Sequence, residues 1–187
     1  MEAIKYLSMP ELEAGMQYIQ RSPKDGGVLK MIVRRPNDDE REAIRHGKLD
    51  LLEGLIGDNW KARGSKHTPD GSANLNAQVT VMNSRLIELV AQAEDRWSLA
   101  GDQLYVDIDL SHENLPPGTR LAIGSAVIEV SEQPHTGCKK FSARFGVEAM
   151  KFVNSSEGKQ LRLRGVNTRV VQGGIIRVGD VVGKIII

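Results

Sequence analysis

The fold class that the sequence predicts is mainly β with flanking helices (α+β), the strands closing into a β-barrel. Three observations carry this. Short apolar runs separated by Gly-containing turns recur from Gln78 to the C-terminus, helical periodicity is confined to a few short segments, and one stretch, Leu104–Leu110, alternates strictly between apolar and other residues. The length of 187 residues, with 40% hydrophobic and 26% charged, matches one domain able to bury a proper core. No internal repeat or low-complexity tract divides it.

In chain order, the N-terminal third opens with a helical pattern around Glu11–Gln20, followed by a strand, Val28–Arg35, after the Gly26-Gly27 turn. A charged helix is expected to open at Asn37 or Asp38 and to be interrupted by Gly47. Gly64–Ala77 reads as a loop. Val79–Met82 forms a buried strand, and Asn83 or Ser84 caps a helix whose apolar residues Leu86, Leu89, Val90, Ala93 and Trp97 share one face. The alternating strand Leu104–Leu110 follows, half-buried with Tyr105, Asp107 and Asp109 outward.

Pro116-Pro117-Gly118 makes a turn. Leu121–Ile123 and Ala126–Val130 then flank Gly124-Ser125, a glycine-first pair suited to a type II′ hairpin. Phe141–Asn154 carries an apolar helical face broken at Gly146. The alternation of Leu161 and Leu163 with Arg162 and Arg164 places both arginines on one face of a strand. A second hairpin set, Arg169–Gln172, Ile175–Val178 and Val181–Ile187, is punctuated by Gly173-Gly174 and Gly179-Asp180, the latter read as a barrel turn. In this reading residues 1–76 are an N-terminal extension packed on a core barrel at 77–187.

Composition excludes several classes. No run approaches the roughly 20 apolar residues of a membrane span, and the first residues lack the basic and apolar regions of a signal peptide, so a cytoplasmic protein is expected. A net charge of +1 indicates neither a nucleic-acid nor a membrane partner. With one cysteine, Cys138, and four scattered histidines there is no disulfide framework, iron–sulfur site or zinc spacing. No Walker or G-x-G-x-x-G loop is present.

The charge is unevenly spread. From Cys138 to Arg169 eight cations face two anions, a net +6, which leaves −5 elsewhere. Such an excess around the sole thiol draws anions and favours the thiolate, the nucleophilic and metal-binding form. The segment Gln133–Arg144, QPHTGCKKFSAR, sets Cys138 between a strand and a helix with His135, Lys139, Lys140 and Arg144 nearby. A loop on a rigid scaffold is a common place for function, and a helix N-terminus stabilises negative charge. The competing readings are a small buried hydrophobe and a Cys-His hydrolase, the latter lacking any visible third group.

These residues carry a resemblance. LPPGTRLAIGSAVIEV, IEVSEQPHTGCKKFSARFG and LRLRGVNTRVVQGGIIRVGDVV, in that order, resemble the MOSC domain, named for the C-terminal domain of molybdenum cofactor sulfurase, over approximately Gln78–Val182. The resemblance implies a MOSC-type barrel that binds the molybdenum–pterin cofactor (molybdopterin), with Cys138 as molybdenum ligand or persulfide carrier. Relatives include sulfurases and reductases of N-hydroxylated and other N–O substrates, and family descriptions also mention pyridoxal phosphate. Carried over by position, Cys138 matches the family cysteine and Arg164-Gly165-Val166-Asn167 the later motif. Asp102 and Gln103, within GDQL, resemble cofactor-facing polar positions. Gly137 stands where many relatives have Pro or Arg.

A molybdenum–pterin group brings a phosphate and two sulfur ligands of its own, so one soft thiolate and a cationic, hydrogen-bonding surround are what it needs from a protein. The expected catalytic residues are Cys138 and His135, with Cys138 as the metal ligand. The expected cofactor contacts are Thr136, Lys139, Lys140, Arg144, Arg162, Arg164, Asn167, Asp102 and Gln103. An electron or sulfur donor would be a separate protein. The resemblance thus implies a molybdenum-cofactor-binding enzyme that reduces N-hydroxylated or other N–O substrates, or transfers sulfur, through Cys138; the alternatives are a non-catalytic persulfide carrier and an adaptor barrel with an inert thiol.

Overall fold

The computed structural model describes residues 5–186; the first four residues of the expected N-terminal extension and Ile187, the end of the expected last strand, lie outside them. Two short helices, α1 (Met9–Ala14) and α2 (Met16–Gln20), break the expected single helix at Gly15, and Glu11 caps the first by accepting from Ser8 N at 2.8 Å. Next come β1 (Gly27–Arg34), β2 (Glu42–Ile44), β3 (His46–Asp50), β4 (Gly54–Leu55) and α3 (Trp60–Arg63). After the loop lie β5 (Val79–Asn83), α4 (Ser84–Ala91), a 3₁₀ segment (Glu94–Ala100) and β6 (Leu104–Asp107). β7 (Arg120–Ile123) and β8 (Ala126–Val130) precede α5 (Lys139–Phe145), α6 (Val147–Asn154) and α7 (Ser156–Gln160). β9 (Val166–Gln172), β10 (Gly174–Arg177) and β11 (Val181–Ile185) complete the chain.

Seven strands close into a barrel in the order β1-β6-β5-β9-β8-β7-β11, with β11 returning to β1 through Gly27↔Val182 and Val28↔Val181. β5 and β6 are parallel and their neighbours antiparallel. β1 is therefore a barrel stave. Residues 1–76 are not simply an extension laid on a finished barrel, because residues 77–187 alone leave β6 and β11 with open edges.

The barrel interior is apolar, filled by residues such as Leu29, Ile32, Val81, Val106, Leu121 and Ile128. A second core lies outside it, where Met82 and Tyr105 meet α1, α4, α5 and α6 through Leu12, Leu86, Phe141 and Phe152. This corrects the half-buried reading of β6: Tyr105 is fully buried under the helices and donates its hydroxyl to Trp97 O at 2.8 Å. Asn83 caps α4 as expected, its Oδ1 accepting from Arg85 N at 2.9 Å and Leu86 N at 3.1 Å. That helix stops early, because Gln92 turns left-handed at φ 60° and the chain continues as the 3₁₀ segment.

Three further expectations fail, each because a tertiary partner overrides local pattern. No helix opens at Asn37; β2 pairs with β1 instead, and Arg34 grips Glu42 with two hydrogen bonds of 2.7 and 3.0 Å. Strands β9 and β10 are not a hairpin: β10 leaves the barrel and pairs with β3 in a small sheet that continues to β4. There Gly174 lies so close to Ser125 that a Cβ would stand 2.4 Å from its carbonyl carbon. Residues 161–164 are a turn rather than a strand, with Arg162 at φ 49°, so Arg162 and Arg164 do not share a strand face. The β7–β8 hairpin and the Gly179-Asp180 turn form as expected, Asp180 accepting from Arg177 N at 2.7 Å.

Candidate functional site

The loop from Ser131 to Cys138 leaves the end of β8 and is held by two asparagines. Asn167 on β9 donates from Nδ2 to the carbonyls of Gln133 and Pro134, both at 3.1 Å, and accepts Ser131 N at its own carbonyl at 3.0 Å. Asn154 at the end of α6 accepts Gly137 N at 2.8 Å and donates to Gly137 O at 3.1 Å. A Cβ on residue 137 would press within 3.0 Å of Val153 and 3.1 Å of Asn154, which accounts for glycine at this position. Beyond the clamp, Cys138 is exposed and stands at the N-cap position of α5 in an extended conformation, without a side-chain capping bond.

Under this loop is a cavity of about 720 Å³, whose lining includes His135, Thr136, Lys159, Arg162, Arg164 and Asn167. Of the expected site residues, His135, Thr136, Arg162, Arg164 and Asn167 are thus brought together, although Asn167 commits its amide protons to the loop. Lys159 and His112 also line it and were not anticipated. Lys159 sits on α7 in register with nothing that periodicity distinguishes.

The remaining expected contacts lie elsewhere. Lys140 and Arg144 turn to Asp39 at 3.2 and 3.4 Å, Arg144 also donates to Leu99 O at 2.6 Å, and Lys139 is exposed outside the cavity lining. Gln103 is fully buried and acts as a joint between β5 and β6: its Oε1 accepts from Thr80 N at 2.8 Å and Thr80 Oγ1 at 2.6 Å. Asp102 is fully buried as well and meets the cavity only through its neighbours.

Asp102 accepts Arg164 Nη1 at 2.6 Å on one oxygen, and His135 Nδ1 lies 3.5 Å from the other. Arg164 also donates to Ala100 O at 2.9 Å and stacks over Phe141 of α5 at 5.1 Å. The loop before β6 is fixed from its far side by Arg35, which donates to Gly101 O at 3.0 Å and grips the buried carboxylate of Asp58 with two bonds of 2.8 Å. Burial raises the Asp102 carboxyl, against the pull of Arg164. Burial, then Arg164 and Arg35, push His135 well below its usual range, so the ring is neutral at pH 7.

The tertiary structure also redistributes the basic excess. Lys140, Arg144, Arg164 and Arg169 find carboxylates on Asp39, Asp102 and Glu129, all outside the basic segment. Among the described residues, Lys159 and Arg162 have no carboxylate partner, and both line the cavity. Arg162 is half-buried with its guanidinium on Leu115 O at 2.5 Å, and burial lowers its affinity for the proton. Two cations without a fixed counter-charge thus line the cavity, along with the carboxylate of Glu132, while Lys139, also without a carboxylate partner among the described residues, lies outside it. No cluster of three or more His, Cys, Asp or Glu side chains occurs among the described residues, so Cys138 is a single donor.

A mixed seven-stranded barrel with a cationic cavity beneath a one-cysteine loop is the class of protein this arrangement defines. The chain belongs to the MOSC domain family, whose model matches residues 72–183, more than half of its length. Similar solved structures include a protein titled only as hypothetical (19% identity, 88% of this chain and 70% of that chain, TM-score 0.57). Others are the YuaD protein from Bacillus subtilis (15%, 84% and 94%, TM-score 0.58) and YiiM from Escherichia coli (15%, 86% and 70%, TM-score 0.54). At these identities the likeness is one of fold. A search of curated proteins by sequence returned no match. No helix among the described residues is long and apolar enough to cross a membrane.

Proposed function

We propose that the cavity binds the anionic molybdenum–pterin cofactor, that Cys138 supplies the protein's sulfur ligand to the metal, and that the protein reduces N-hydroxylated or other N–O substrates with electrons from a separate donor protein. One observation carries the reading: Lys159 and Arg162, lacking carboxylate partners among the described residues, line one cavity with His135 and Thr136, beneath the loop that ends in the chain's sole thiol. Cations without a counter-charge in a cavity wall favour a ligand of opposite charge.

When bound, such a group supplies two-electron redox chemistry at its metal. The chain's residues do the rest. Lys159 and Arg162 would neutralise the anion, the Thr136 hydroxyl offers a donor and an acceptor, and the Asn154 and Asn167 clamps hold the thiol loop in place, while Arg164 is committed to Asp102 and Ala100. The second reading, a persulfide carrier on Cys138, is favoured by the exposure of that thiol outside the cavity lining.

The test is molybdenum analysis with pterin fluorescence, on wild type and Cys138→Ala made in a host that synthesises the cofactor. Near-stoichiometric metal that disappears in a folded variant is the expected result. Full occupancy in Cys138→Ala overturns the ligand assignment. Absence of metal from both, with a labile one-sulfur adduct on the wild type by mass spectrometry, replaces the reductase with the carrier.

A further inference from the structure

The two oxygens of Asp102 have different surroundings. One accepts Arg164 Nη1 at 2.6 Å. The other, Oδ1, is buried without a well-formed hydrogen bond: the nearby Thr80 hydroxyl spends its one proton on Gln103 Oε1 at 2.6 Å, and the buried His135 Nδ1, also without a hydrogen bond, lies 3.5 Å away. Two buried polar atoms unsatisfied side by side are an exception that calls for a reason, and such contacts often tighten when a site is filled.

Donor and acceptor chemistry decides which partner carries the proton. Arg164 can only donate, so the oxygen it holds is an acceptor and the carboxylate is favoured in its ionised form. Oδ1 is then an acceptor too, and a proton on His135 Nδ1 is what satisfies it. The remaining ring nitrogen, Nε2, is left with a lone pair. It makes no hydrogen bond among the described residues and is not one of the buried unpartnered atoms, so it opens onto the cavity that His135 lines. Gly165 lets the turn pass close to β5, where a Cβ would stand 2.4 Å from Val81 O, and brings the backbone up to the ring, with that Cβ position 3.4 Å from Nδ1.

We propose that Asp102 and Arg164 are positioning residues that hold His135 as the Nδ1–H tautomer, making Nε2 a fixed acceptor for a ligand that presents an N–H or O–H in the cavity. The ligand clause rests on the cavity being the binding site of the proposed function; the tautomer does not. Two sources of that donor fit the reading, a pterin ring N–H and the O–H of an N-hydroxylated base.

The experiment is two-dimensional ring ¹⁵N–¹H NMR of the purified protein labelled at histidine, with His135→Phe used to assign the signal. The expected spectrum has a protonated Nδ1 and a bare Nε2 at pH 7. A proton on Nε2 in the wild type, meaning that a protonated Asp102 donates to Nδ1, overturns the proposal. In Asp102→Asn the carbonyl must face the donor-only Arg164, which turns the amide NH₂ toward Nδ1, so the proton is expected to move to Nε2; a folded variant that keeps Nδ1–H also overturns it. Should that variant not fold, the wild-type spectrum decides alone.

Adding a free pterin and, separately, N-hydroxycytosine identifies the donor by which of them shifts Nε2. A shift from neither overturns the acceptor role. Molybdenum content is measured independently, so a correct tautomer without metal sinks the cofactor reading alone, and metal with the wrong tautomer sinks this inference alone.

Discussion

His135 is neutral at pH 7 because burial and two nearby guanidiniums oppose its charged form. Its folded pKa lies below the ordinary 6.5, so as pH falls through 6.5 the unfolded chain binds a proton before the folded chain does. The stability this group contributes is therefore fully present above 6.5 and is lost as pH falls toward its folded value. Asp102, raised by burial, acts in the opposite sense, so the informative quantity is a difference. Between pH 7 and 5 the urea midpoint of the wild type is expected to fall relative to that of His135→Gln. Parallel profiles for the two proteins would contradict the buried, neutral ring. At this scale QPHTGC and LRLRG marked Cys138, His135, Arg162 and Arg164 as residues of interest. Local charge could not distinguish Lys140 and Arg144, which answer to Asp39 about a hundred residues away, from Lys159, which answers to none.

Among the elements, the turn into β9 is under tight local constraint near the site. Gly165 has φ 109°, a conformation that disfavours side chains, and a Cβ would lie 2.4 Å from Val81 O on β5. Gly165→Ala is expected to destabilise the protein by more than the roughly 1–3 kcal/mol of backbone strain alone, measured by chemical denaturation. Because β9 also carries Asn167, the same change is expected to loosen the thiol loop and raise the reactivity of Cys138 toward a maleimide. An unchanged midpoint would show that the turn relaxes freely. Elements with a purely local signal were legible: the Asn83 cap, the Gly124-Ser125 hairpin and the Gly146 break between α5 and α6. The charged stretch at Asn37 and the Leu-Arg alternation at 161–164 were misread, since cross-strand pairing in one case and Arg164's buried partner Asp102 in the other outweighed the pattern.

For the whole molecule, closure depends on a strand far from the thiol in sequence. β1 pairs with β6 through Val28↔Asp107 to Ile32↔Leu104 and with β11 through Gly27 and Val28, and it precedes the span that matches the family model. A chain beginning at residue 77 is expected to show no cooperative thermal unfolding, because β6 and β11 would keep open edges and Leu29 and Ile32 would be missing from the interior. A sharp transition in that fragment would mean that the barrel closes without β1.

The sequence by itself determined the barrel class, the lone thiol and the turns, because these follow from composition, periodicity and glycine placement, which act over a few residues; the family resemblance was carried by its motifs. Tertiary structure alone decided that β1 is a stave, that Asp102 lies beneath the cavity rather than in its wall, and which cations remain unpaired there. The physical reason is that charge and hydrogen-bond satisfaction are settled by neighbours in space: Arg164 and Asp102 stand 62 residues apart in the chain and 2.6 Å apart in the fold.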